Sequence, residues 1–163
     1  MLSRIVIFLG LMLIQLPLLA ESALTESLSP IDNQYMQQQR DFIDETARLH
    51  MGTRLTGEKN NDLKLLQALL DRQLIALDNT RGLQAMGVVL GDILKNEESL
   101  NWIIYIDKYG RSRALAIPGQ DEVVFPITMI SRRAEVGNQV DVFEVYKKAR
   151  AAVAEIRKII VVR

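Results

Sequence analysis

Leu63, Leu66, Leu70, Leu74 and Leu77 recur at three- and four-residue spacing, which draws one apolar stripe along a helix. Asn61 or Asp62 is a suitable cap for its start. Upstream, residues from Asp32 to about Met51 favour helix, with Tyr35, Phe42, Ile43, Ala47 and Leu49 as apolar members. Gly52, Gly57 and the pair Asn60-Asn61 mark the break between the two. A third helix is predicted from about Thr80 to Lys95, with Leu83, Met86, Leu90 and Leu94 on one face. Beyond Lys95 the period shortens. Trp102 to Ile106 is β-branched and aromatic, hence a strand. Asp107-Lys108-Tyr109-Gly110 is a turn with glycine last, and Arg113 to Ile117 returns as the partner strand of a hairpin. Val123 to Ile130 is a third strand, and Pro126 inside it argues for an edge or a bulge. Asp141 opens the last helix, with Glu144 in capping-box position and Val142, Tyr146, Ala149, Val153 and Ile156 on one face. The tail Ile159 to Val162 extends that helix or pairs as a short strand. The pattern is that of an α+β fold: N-terminal helices, a three-stranded antiparallel β-meander and a closing C-terminal helix.

The first twenty residues follow a different logic. Arg4 precedes a run from Ile5 to Leu19 that only Gln15 and Pro17 interrupt, and small Ala20 and polar Glu21 follow. Positive start, apolar middle and small-residue exit make a secretory signal over residues 1–20. The run is shorter than the about 20 apolar residues that a membrane-spanning helix needs. Residues 21–33 are polar and read as a flexible lead-in, leaving 34–163 as a single domain. The expected location is the periplasm or the exterior, with membrane contact only if the signal stays uncleaved.

Composition narrows the chemistry. Lys plus Arg and Asp plus Glu balance at 20 each, which argues against nucleic acid or an anionic membrane surface as partner. There is no cysteine, so neither disulfides nor thiol chemistry is available. The apolar fraction of 48% suffices for a core. The single histidine, His50, leaves no multi-histidine metal site and reads as a solvated helix-end residue. No metal or other cofactor is expected.

Several pieces occur in a recognisable order. Leu83-Gln-Ala-Met-Gly-Val-Val-Leu-Gly-Asp92 leads to Trp102, then Asp107-x-Tyr109-Gly110-Arg111, then Ala114-Leu115. Phe125-Pro126-Ile-Thr-Met-Ile-Ser-Arg132-Arg133, Gly137 and Val140-Asp141-Val142 follow. Over roughly residues 80–148 this resembles an uncharacterised bacterial domain-of-unknown-function family, family 3806. The resemblance implies a compact α+β domain, commonly of Gram-negative bacteria, and no known activity or functional residue.

Gly87 and Gly91, four apart, suit close packing of a helix better than a membrane pairing motif, because Asp92 follows at once. Gly110 and Pro126 are structural by type. Trp102 is a stacking platform or a core aromatic. Asp107 either belongs to an acidic site or accepts hydrogen bonds within its turn. Arg132 and Arg133 either hold an anionic ligand or a partner's carboxylate, or guard a strand edge. These features favour an exported binding or accessory domain of the envelope, with a protein or an anionic small molecule as partner. The alternatives are a carboxylate-dependent hydrolase of envelope glycans, using Asp92, Asp107 or Glu135, and an immunity or inhibitor protein.

Overall fold

A computed structural model of the chain describes residues 23–137 and 139–158; the expected signal and the apolar tail lie outside them. Among these residues the fold is α+β, with five helices and an antiparallel sheet of four strands rather than three. The added strand is β1, Leu24–Ser27, which pairs with β2, Asn101–Asp107, in the register Leu24 to Ile106. It lies in the stretch expected as a flexible lead-in. All four of its residues are exposed, so no alternation announced it. β2 pairs with β3, Gly110–Ala116, and β3 with β4, Val123–Val124.

The expected third strand from Val123 to Ile130 stops after two residues. Pro126 has no N–H for a ladder, and its fixed φ suits the first position of a helical turn. A 3-10 turn, Pro126–Thr128, follows, and then the short helix α4, Ser131–Glu135. Arg132 and Arg133 therefore stand on a helix, not on a strand edge.

Helix α1, Pro30–Met51, begins with Ser29 as its cap and buries Met36, Ile43 and Ala47. Helix α2, Lys59–Asp71, is capped by Glu58, whose side chain accepts from the N–H groups of Asn60 and Asn61. Asp62, expected as a possible cap, is instead buried and gathers the N–H groups of Thr56 and Gly57 at 2.9 Å each. The leucine stripe overran α2. The N–H groups of Leu74 and Ile75 both turn back to the Leu69 carbonyl, which closes the helix without the glycine that usually marks such an end.

Helix α3, Thr80–Glu97, is apolar nearly all round and occupies the centre. It touches α1, α2, α4, the 3-10 turn and the last helix α5, Val142–Lys158. The Val142 N–H donates to Gln67 Oε1 at 2.8 Å, which ties the start of α5 to α2. Asp141 Oδ1 accepts from the Glu144 N–H at 3.0 Å, so half of the expected capping box forms. Trp102, Ile104, Leu115 and Val124 share the helix-facing side of the sheet by register.

Two glycines let α3 sit this close. A Cβ on Gly87 would lie 2.2 Å from the Ile127 carbonyl oxygen, and one on Gly91 would lie 2.3 Å from the Trp102 ring. Alanine favours a helix by about 1 kcal/mol over glycine. Here Gly87→Ala must push against rigid backbone, and overpacking of that kind costs about 1–3 kcal/mol. Gly87→Ala is expected to lower stability in urea unfolding despite its better helix propensity, and an unchanged or raised midpoint would contradict the close contact.

Candidate binding cleft

The site starts at a helix cap. Ser29-Pro30-Ile31-Asp32 places a carboxylate three residues beyond Ser29. The Ser29 N–H and Oγ–H donate to Asp32 Oδ2 at 3.1 and 2.6 Å, and the Asp32 N–H donates back to Ser29 Oγ at 3.2 Å. The box turns Asp32 inward, where it is 1% exposed. Strand β3 supplies the counter-charges. Arg111 and Arg113, two apart, project to the same face. Arg111 Nη1 and Nη2 donate to the two Asp32 oxygens at 2.9 and 2.6 Å, a bidentate fork. Arg113 Nη2 lies 2.8 Å from Oδ1. The Arg113 guanidinium also lies 4.1 Å over the Tyr35 ring. The Arg111 hydrogen bonds, opposed by burial and helped by Ser29 and Arg113, hold the Asp32 carboxyl well below the usual carboxylate range.

Beside this cluster opens a cleft of about 480 Å³. Arg111, Arg113 and Arg132 line it, together with the rings of Tyr35, Tyr109 and Phe125. Gln84, Ser112 and Thr128 add uncharged polar groups. Asp107 lines the cleft as well, and its Oδ1 accepts the Tyr109 N–H at 2.8 Å across the hairpin turn. Gly110, at φ 121°, completes that turn in a conformation suited to glycine. Tyr109 is left 86% exposed at the tip. Among the described residues the cleft's arginines form ion pairs with Asp32 alone, and Arg132 takes part in none.

Of the residues singled out by sequence, Asp107 and Arg132 meet in this cleft. Arg133 is absent from the cleft lining; it donates from Nη1 to the Met129 carbonyl at 2.8 Å and borders an adjoining groove with Val124, Met129 and Ile156, which Arg132, Phe125 and Thr128 line as well. Trp102 lies elsewhere. Its Nε1–H donates to Asp92 Oδ1 at 2.9 Å, and Arg40 donates to both oxygens of the same carboxylate at 2.6 and 2.9 Å. Asp92 thus joins α1, α3 and β2. Glu135 is exposed on α4, outside the lining of the cleft. Gly87, Gly91 and Pro126 sit behind the site, where they set the distance between α3 and the 3-10 turn. The single histidine, His50, is exposed in the last turn of α1. Among the described residues no three His, Asp or Glu side chains stand where they could hold a metal ion.

Comparison with protein families places this region. The model of a family described as a domain of unknown function, DUF3806, matches residues 62–146, more than half of the chain. The chain belongs to the DUF3806 family. A crystal structure at 1.50 Å of a protein from Bacteroides thetaiotaomicron VPI-5482 resembles it with a TM-score of 0.71 and 19% sequence identity. The likeness covers 80% of this chain and 48% of that one, so the chain spans about half the length of its structural neighbour. At that identity the likeness shows the fold alone. Comparison with curated proteins finds no match. The DUF3806 segment contains both arginines of β3 and Arg132, whereas Asp32 and Tyr35 precede it.

Asp32→Asn keeps the shape of the side chain and removes its charge from beneath two guanidinia. Breaking a buried, hydrogen-bonded pair in this way costs about 3 kcal/mol. Because the folded-state pKa is depressed, the stabilisation is complete above the unfolded value of about 3.9 and is lost as pH falls below it. Urea unfolding should therefore separate the two proteins at pH 7, and the gap should narrow progressively as pH falls from about 4 to 2 without closing there, because the depressed folded-state pKa lies lower still. A gap that persists undiminished at pH 2 would rule out the ionised carboxylate as its source.

Proposed function

We propose that this DUF3806 protein is an exported, non-enzymatic binding or accessory domain of the bacterial envelope. It captures an anionic group of a protein partner or small ligand in the hairpin-tip cleft. The observation that carries this reading is Arg132, a guanidinium on the cleft wall without an ion-pair partner among the described residues. A free guanidinium fork matches a carboxylate or another oxyanion. Tyr35, Tyr109 and Phe125 supply rigid aromatic area of the kind that anchors interfaces. Export rests on the apolar run of residues 1–20. No helix of the described residues is long and apolar enough to cross a membrane.

The hydrolase alternative asks for two carboxylates converging on a substrate. Asp107 lines the cleft, but Asp32 is held ionised by its arginines and Asp92 is bound to Arg40 and Trp102. The inhibitor reading draws some support from Tyr109, an exposed aromatic on a hydrogen-bonded turn.

Crosslinking pull-down from the host's envelope fraction tests the proposal, with Arg132→Ala and Arg133→Ala as matched variants. An interface arginine at a hot spot is worth about 2 kcal/mol or more. Capture should fall by about tenfold or more in Arg132→Ala and persist in Arg133→Ala, with the Arg132→Ala urea midpoint unchanged. Equal capture by both variants would remove the cleft from the recognition surface.

A further inference from the structure

The charges around the cleft constrain the charge of its ligand. Arg111, Arg113 and Arg132 contribute three positive charges, and Asp32 and Asp107 two negative ones. At the rim, Lys108 over the Tyr109 ring and Glu26 near Arg111 offset each other. One positive charge remains, and Arg132 carries it. The other two arginines are not free to move to a ligand. Arg111 has both terminal nitrogens on Asp32 and Arg113 has one, so withdrawing either would leave the buried carboxylate short of a counter-charge.

Arg132 shares the cleft lining with the apolar or aromatic side chains of Phe125, Ile127 and Tyr109 as well as with polar groups. Phe125 is held from behind by an edge-on contact with Tyr105, ring centres 5.5 Å apart. One face of Tyr35 is taken by the Arg113 guanidinium and one face of Tyr109 by the Lys108 ammonium, which leaves Phe125 and the other face of the exposed Tyr109 as stacking surfaces. Resting on the anion-binding reading above, we infer that the cleft takes an organic monocarboxylate with a flat or apolar body. The two carboxylate oxygens meet the Arg132 fork, with the Thr128 hydroxyl and the Gln84 amide at hand. The body lies against Phe125 and Tyr109. A phosphomonoester carries about −1.5 to −2 at pH 7 and would bring surplus negative charge toward Asp107 and Asp32.

The test uses three probes that share a phenyl ring: phenylacetate, phenyl phosphate and benzylamine. Each is titrated at pH 7 into the 15N-labelled protein, and the Arg132 Nε–H and Thr128 amide resonances are followed. Phenylacetate should move both, with an apparent Kd at least about tenfold below that of phenyl phosphate, while benzylamine leaves them in place. Arg132→Gln should weaken phenylacetate by about tenfold or more, and Arg133→Gln should leave it unchanged. If phenyl phosphate binds as tightly as phenylacetate or more tightly, the monocarboxylate inference is wrong and the anion-binding reading stands. If neither anion moves the Arg132 resonance, or benzylamine matches them, both fall together.

Discussion

The carboxylate of Asp32 joins two parts of the chain that are far apart in sequence. It lies 79 residues from Arg111, and the bridge between them fixes the start of α1 against the tip of the β2–β3 hairpin. Burying a charge is costly, and a buried ion pair is weak support for net stability. Its stronger effect is on placement. Ser29, Arg111 and Arg113 all direct donors at the two Asp32 oxygen atoms, which ties the start of α1 to β3. The cleft wall that contains Tyr35 shares that tie through the stacked Arg113 guanidinium. A stretch whose composition suggests a loose leader is thereby part of the site's foundation.

The second fixed point is α3. Its apolar surface leaves no solvent-facing side of any width, so the remaining elements arrange themselves around it. Glycine at 87 lets the backbone of the 3-10 turn approach, and glycine at 91 receives the Trp102 ring. The turn in turn leads into α4 and so presents Arg132 to the cleft.

The sequence was most legible where pattern and burial agree. The four longer helices and the hairpin follow from apolar spacing and from the Asp107–Gly110 turn. Strand β1 was illegible because its four residues are all exposed, so no apolar alternation marks its pairing with β2. The stretch after Val124 misled because β-branched and apolar residues serve a buried turn as well as a strand, and Pro126 decided between them. Of the site, Asp107 and Arg132 stood out as polar residues in an ordered context. Asp32, Arg111 and Arg113 did not, although two local signals point to them: the Ser29-x-x-Asp32 spacing and the Arg-x-Arg alternation in β3. Neither local signal reveals that the two would meet, since that depends on a contact between residues 79 apart in the chain.

Trp102 is the chain's single tryptophan. Its indole lies over Gly91 and gives its N–H to a carboxylate that Arg40 also holds. Tryptophan emission from this protein therefore originates at one junction, between α1, α3 and β2, with an ion pair beside the ring. The domain carries a built-in optical reporter of whether those three elements are assembled.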